Sequence, residues 1–286
     1  MVRSSVFFWF ECSSGCLVLK VQVFGLNGSP VGEVDLPPQF SEAFRPDLIR
    51  RAFHSEASKR LQPKGVFLLA GMQTTAEYYG RRRGWRQIIN TGRSRLPREK
   101  IPGGGTGRVR MVPHSVKGRR AHPPKAVKRL VERVNFKEKN KALRSAISAT
   151  ANVELVKARG HALSEKTRVP LVVEDSFESL SRVKDAKKAL EALGLELDLK
   201  RASEARKKRS GRARMRKGGY REPKSVLIVF GEDKGVWRAT RNLPGVDAVN
   251  VSALTVEDLA PGGEAGRLTV WTKNALHKLA ENGLYT

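Results

Sequence analysis

The stretch from Thr74 to Lys125 constrains this chain more than any other. It holds 14 Lys or Arg residues against two acids, Glu77 and Glu99, together with 8 Gly and 5 Pro. Such a composition buries little, loses much backbone entropy on ordering and repels itself, so it is expected to lack a core and to order when a polyanion neutralises it. Tyr78, Tyr79 and Trp85 interrupt the charge. Arginine beside flat rings and glycine suits a chain that threads between phosphates while stacking on bases. The other reading is a solvated linker, although connections longer than about 15 residues inside compact domains are usually functional or disordered.

The formal net charge of the 286 residues is +27, and this stretch carries +12 of it. A second run, Lys200 to Arg221, adds +10 through 11 basic residues and the single acid Glu204, which leaves +5 for the other 212 residues. The pattern is that of an ordinary globular protein with two cationic extensions, and these are where a phosphate backbone is expected to bind. The remainder is long enough for one well-buried core.

The first 19 residues are left unassigned. Their apolar runs, Val6 to Phe10 and Cys16 to Leu19, fall far short of the ~20 residues of a membrane span, so no membrane partner is expected. A lone early Arg3 without a small-residue cleavage pattern favours a start codon placed too far upstream over a secretory signal. Cys12 and Cys16 are the only cysteines and receive no function.

From Lys20, Val21 and Val23, then Leu26-Asn27-Gly28, then Val31 and Val34 predict a hairpin whose Asn-Gly turn supplies positive φ angles. Pro46 opens a helix to about Leu61, with Leu48, Ile49, Ala52 and Phe53 on one face. Val66 to Ala70 reads as a short buried strand or as the root of the basic stretch. Val127, Leu130, Val131 and Val134 predict a core-packing helix by their spacing, followed by a second with Leu143, Ala146 and Ile147 inside. Asn152 caps a short helix ending near Gly160. Beyond Arg168, apolar runs at 171–173, 195–199, 226–230, 246–251 and 268–271 alternate with helices at 183–193, 236–242 and 273–281. Gly194 and Gly283 mark helix ends and Thr272 a cap. The predicted class is α/β, a mostly parallel Rossmann-like sheet flanked by helices. It forms a single domain over 20–286, interrupted by the extended basic loop 74–125 and the basic segment 200–221.

A parallel sheet raises the question of an enzyme, but its turns lack the glycines that a pyrophosphate needs. Leu171-Val-Val173 runs into Glu174 and Asp175, and Phe230 into Gly-Glu-Asp-Lys-Gly. Gly103 to Gly107 has no preceding strand and no Lys-Ser/Thr, so it reads as a flexible hinge. His54, His114, His122, His161 and His277 have no zinc spacing, and Asp175 reads as a helix cap. No catalytic residue, metal or cofactor is expected.

Four motifs in order, GVFLLAGMQTTAEYYG, VKGRRAHPPK, KNKALRSAISATAN and LAPGGEAGRLTVWTKNAL, resemble the universal large-subunit ribosomal protein L-four family in its archaeal and eukaryotic form. The resemblance spans Lys20 to about Leu279. It implies an α/β domain on the solvent side of the large subunit and a long loop inserted into ribosomal RNA. Early assembly, a loop tip at the constriction of the nascent-peptide exit tunnel, neighbouring large-subunit proteins as partners and no enzymatic activity are also implied. Gly84 to Gln87 resembles the family's loop tip, and Gly105 to Arg108 its returning arm. Gly118 to Lys125 resembles the loop's exit, and Gly211 to Arg221 a second RNA-binding stretch. The segment between Gln87 and Gly103 is longer than usual for the family. The same match favours the loop-root reading of Val66 to Ala70.

The rRNA-binding residues so indicated in the loop are Arg81, Arg82, Arg83, Trp85, Arg86, Gln87, Arg93, Arg95, Arg108, Arg110, Lys117, Arg119, Arg120 and His122. In the globular domain they are Arg206, Lys207, Lys208, Arg209, Arg212, Arg214, Arg216, Lys217 and Arg221. Trp85, Arg86, Gln87, Ile88, Ile89 and Asn90 form the expected tunnel tip, where the nascent peptide would pass. The alternatives are an RNA-modifying enzyme with the loop as substrate clamp, which would need a cofactor turn, and a free RNA-binding regulator.

Overall fold

The computed structural model describes residues 9–11, 17–78, 89–164, 167–216 and 218–285. It divides into two units, one of Met1–Lys59 with Glu132–Thr286 and the other of Arg60–Val131. In chain order the elements begin with β1 (Trp9–Glu11), β2 (Leu17–Phe24), β3 (Pro30–Asp35), α1 (Pro46–Ser58), β4 (Arg98–Lys100) and β5 (Thr106–Val109). Next come α2 (Phe136–Thr150), α3 (Val153–Ala158), β6 (Leu171–Val173), α4 (Val183–Ala192), α5 (Glu196–Glu204), β7 (Lys207–Lys208), α6 (Gly211–Arg216) and β8 (Tyr220–Arg221). The chain closes with β9 (Leu227–Phe230), α7 (Val236–Thr240), β10 (Asp247–Asn250), α8 (Val256–Leu259), β11 (Thr269–Thr272) and α9 (Lys273–Glu281).

The first unit is built on a mostly parallel sheet. Strands β2, β6, β11, β9 and β10 lie side by side in that order, each parallel to its neighbour, while β1 and β3 pair antiparallel with β2. Every residue of β6, β9 and β11 is buried, as a parallel strand covered on both faces requires. Because side chains alternate, Val172, Leu227, Val229 and Trp271 join one apolar cluster with Ile49 of α1, Leu143 and Ile147 of α2, Leu259 of α8 and Leu276 of α9. Leu171, Val173, Ile228, Phe230 and Val270 join the opposite cluster with Val156 of α3, Leu190 of α4, Leu199 of α5 and Val236 of α7. The single sequence thus supplies two helical layers.

Several predicted elements take a different form. The β2–β3 hairpin forms, but its turn spans Gly25 to Ser29 and only Gly28 takes a positive φ, of 76°. Helix α1 stops at Ser58, three residues before Leu61. No helix covers Val127 to Val134. Val127 is 92% exposed and Val131 is exposed as well, so the periodic pattern has no surface to pack on. Leu195 to Leu199 is the start of α5 rather than an extended run, since Leu195 and Leu199 lie one helical turn apart on the buried side. Gly103 to Gly105 is neither hinge nor phosphate cradle. It turns the β4–β5 hairpin, in which the Ile101 N–H donates to the Gly105 carbonyl. Val66 to Leu69 forms no strand and is exposed. The caps at Asn152 and Thr272 form as predicted, and Gly160, Gly194 and Gly283 take positive φ at helix ends.

Trp271 is the largest fully buried side chain among the described residues and meets Phe40 edge to face at 5.3 Å. Trp271→Ala is therefore expected to destabilise the chain by about 3–5 kcal/mol, measured as a urea midpoint by circular dichroism. A loss of under about 1 kcal/mol would show that this cluster is not the stabilising centre.

Candidate nucleic-acid interface

The basic excursion leaves and re-enters the first unit at one place. The Ser55 hydroxyl donates to the Glu132 carbonyl at 2.8 Å, and the Glu132 N–H donates to the Ser58 hydroxyl at 2.9 Å. Between those residues lies the second unit, with 18 Lys or Arg and only Glu77 and Glu99 as acids. Among its described residues none is buried. It is held by backbone bonds and close glycine contacts instead. Glu77 exchanges two backbone hydrogen bonds with Arg98 of β4. Gly71, at φ 76°, approaches the returning chain so closely that a Cβ there would lie 2.6 Å from the Gly118 carbonyl oxygen.

Both acids of this unit are already committed. Lys100 Nζ lies 2.6 Å from Glu77, and Arg110 Nε donates to Glu99 at 2.7 Å. Arg110 also donates to the Val116 carbonyl, and Arg93 to the Thr106 hydroxyl. Arg95, Arg108, Lys117, Arg119, Arg120 and His122 are exposed. Ile89 is half-buried and Asn90 is exposed at φ 61°. Arg81, Arg82, Arg83, Trp85, Arg86, Gln87, Ile88 and Lys217, all predicted contacts, lie outside the described residues.

The second cationic run forms a small arm. Strands β7 and β8 pair antiparallel, with α6 between them presenting Arg212, Arg214 and Arg216 to solvent. The Arg206 guanidinium stacks 4.3 Å from the Tyr220 ring centroid and pairs with Glu222, and Arg209 donates to the Tyr220 carbonyl. Lys207, Lys208, Arg212, Arg214, Arg216 and Arg221 are exposed, and among the described residues none of them has an acidic partner.

A buried carboxylate fixes both ends of this arm. Asp198 of α5 accepts from Arg201 Nε at 2.8 Å, the Ser225 hydroxyl at 2.5 Å and the Ala162 N–H at 3.1 Å. His161 Nδ1 lies 3.2 Å from it, and the Leu268 N–H donates to Nε2, so the ring proton sits on Nδ1 and is donated to Asp198. Arg201, at the arm's start, also donates to the Lys224 carbonyl just beyond its end. Burial alone would raise the Asp198 carboxyl, but the hydrogen bonds from His161, Arg201 and Ser225 outweigh it and hold the group below the usual carboxylate range.

The carboxyl ends of the central strands carry acids. The fully buried Glu178 accepts from the Gly231 N–H at 2.7 Å, the Thr272 hydroxyl at 2.7 Å and the Asn274 amide at 3.2 Å. Asp175 is a cap, as predicted, but of α9, accepting from the Asn274 N–H at 2.6 Å. Carboxyl groups thus stand at the strand ends, where a dinucleotide-binding sheet would offer glycines to a pyrophosphate. Among the described residues no cluster of His, Cys, Asp and Glu could hold a metal ion, and no helix is long and apolar enough to cross a membrane. Asp198, His161, Ser225 and Glu178 escaped the sequence reading. The one available signal was the i, i+4 spacing of Leu195 and Leu199, which places Asp198 near the inner face of a helix.

The sequence pattern of the Ribosomal protein L4/L1 family matches residues 34–282. The chain belongs to that family. The large ribosomal subunit protein uL4 of Methanocaldococcus jannaschii is 49% identical over 263 residues, 92% of this chain and 99% of that protein. The same-named proteins of Archaeoglobus fulgidus and Pyrobaculum aerophilum are 45% and 46% identical over 92% and 91% of this chain, and over 99% and 89% of their own lengths. The resemblance carried by the four motifs is thereby borne out. Members of the L4/L1 family are structural and non-enzymatic, which removes the RNA-modifying enzyme as a reading.

The depressed Asp198 carboxyl gives a stability term that is complete above the ordinary aspartate value of about 3.9 and is lost as pH falls below it. Asp198→Asn is expected to cost about 1–3 kcal/mol at neutral pH and to flatten the acid limb of stability. Urea midpoints between neutral pH and pH 3 measure both. An unchanged acid limb would mean that other carboxylates set it.

Proposed function

We propose that this chain is a structural protein of the large ribosomal subunit, cytoplasmic within the ribosome, that binds large-subunit rRNA. In this reading the first unit is a Rossmann-like domain that docks on RNA through the Lys200–Arg221 arm. Residues 74–125 are the extended RNA-binding loop, with Trp85 to Asn90 at its tip lining the exit tunnel beside the nascent peptide. Neighbouring large-subunit proteins complete its surroundings, and its early docking supports assembly. The names of the relatives and the motif resemblance favour this reading.

The observation that carries it is the second unit. A segment with 18 basic residues, two acids that are both paired, and no buried residue among those described does not hold together as a core. Phosphates supply the missing charge, and bases supply flat partners for its rings. Arginine dominates because its planar fork binds phosphate oxygens in pairs and stacks on bases.

Affinity for naked rRNA is accordingly expected to fall steeply with salt, with a log–log slope steeper than about −4, because each phosphate contact releases counterions worth about −0.7 to −0.9. A shallower slope in filter binding would mean that the two basic runs do not engage phosphate together. Replacing residues 60–131 by a short Gly/Ser linker should leave the first unit folded, since Ser55 and Ser58 already meet Glu132. Subunits carrying that variant should lose density along one tunnel wall. Loss of the cooperative melt would show that the excursion is part of the core, and an intact wall would displace the tip from Trp85 to Asn90.

A further inference from the structure

Within the second unit, the chain returning from the basic excursion and Lys64 of the incoming chain line a groove of about 990 Å³. Pro123, Pro124, Val127 and Leu130 supply its apolar lining. Lys64, Arg120, Lys125 and Lys128, all of them exposed, supply its cationic lining. None of the four has an acidic partner among the described residues, and the two acids of the unit are held by Lys100 and Arg110. His122 adds an exposed ring at the lip.

We propose that this groove binds an unstacked nucleotide of single-stranded RNA, its base lying against the apolar lining residues and its flanking phosphates held by the four cations. The inference rests on the reading of this unit as RNA-binding and names the form of RNA that it takes. A nucleobase has a π face that needs only apolar contact, and phosphates on either side of it meet the unpaired cations. A duplex buries its base faces and would leave the apolar lining uncovered. An extended acidic peptide matches the charge but needs main-chain partners. Pro123 and Pro124 have no N–H to give, and the Lys128 N–H is already donated to the Lys125 carbonyl. The volume lies at the upper end of ordinary ligand sites, about 300–1,000 Å³, which leaves room for a base with its sugar and neighbouring phosphates.

The test compares a fluorescent 12-nucleotide oligouridylate with an abasic ribose-phosphate oligomer of the same length, bound by the full chain at fixed salt. Wild type is expected to prefer the base-bearing oligomer by about 5- to 150-fold. The double variant V127S/L130S is expected to lose most of that preference while binding the abasic oligomer as wild type does. K64A/K128A is expected to weaken both oligomers by the same factor and to make the salt slope shallower by about 1.4. Circular dichroism melts of each variant check that the first unit is intact. If V127S/L130S keeps the full preference, the bases bind elsewhere and the groove assignment falls while RNA binding stands. If wild type binds neither oligomer, the RNA-binding reading itself falls. Displacement of oligouridylate by a 12-residue polyglutamate from wild type, but not from V127S/L130S, would overturn the proposal in favour of an acidic peptide.

Discussion

Two-sided burial of three short strands is the constraint on which the rest of this structure depends. Strands β6, β9 and β11 total eleven residues, all buried, and each must place successive side chains into opposite helical layers. Side chains buried on both faces leave no room for charge in these three strands, and most of the cations that make the chain strongly basic lie outside the sheet. The few polar groups that remain inside are satisfied collectively. Glu178 and Asp198 each gather several donors from separate elements, which ties strand ends, a helix start and the base of an arm into single nodes.

Those nodes explain how a rigid core presents flexible chemistry. The arm from Lys200 to Arg221 has little apolar material of its own, yet its two ends are fastened to a buried carboxylate through Arg201 and Ser225. Where the basic excursion leaves and rejoins the first unit, hydroxyls of α1 hold Glu132 to that unit without any ion pair. In both places neutral or buried groups do the anchoring, and the exposed cations stay available to an external polyanion.

Much of the first unit was legible because period and punctuation agree there. The β2–β3 hairpin, α1, α2, α3, α4, β9, β10, β11 and α9 all follow from apolar spacing with a proline, glycine or capping residue at an end. Legibility failed where pattern and environment part. Val127 to Val134 repeats at helical spacing, but Val127 and Val131 are exposed, and a stripe with no burial to gain does not fix a helix. The β4–β5 hairpin is built from Arg98, Glu99 and Lys100 against Thr106 to Val109, residues with no alternating apolar signal. Asp198 was hidden because Leu195-Glu-Leu-Asp-Leu199 alternates as a strand does, and only the helix turns the acid inward. Which one of the acids after β6 is buried depends on Gly231, Thr272 and Asn274, more than fifty residues away in sequence. The rRNA-binding residues were legible only as charge and family likeness, since contacts to a partner leave no period in the sequence.

The meeting of Ser55 and Ser58 with Glu132 also bears on how the chain acquires its fold. Helix α1 cannot pack against α2 until the whole excursion between them has been synthesised, and β2 cannot gain its parallel neighbour β6 until still later. For that interval the chain displays its basic segment without a finished domain beside it. Closing the gap is nonetheless insensitive to its span, because doubling a flexible loop adds only about 0.6 kcal/mol. Insertions and deletions near the far end of the excursion can therefore accumulate between related chains while the sheet and its two helical layers keep the same register.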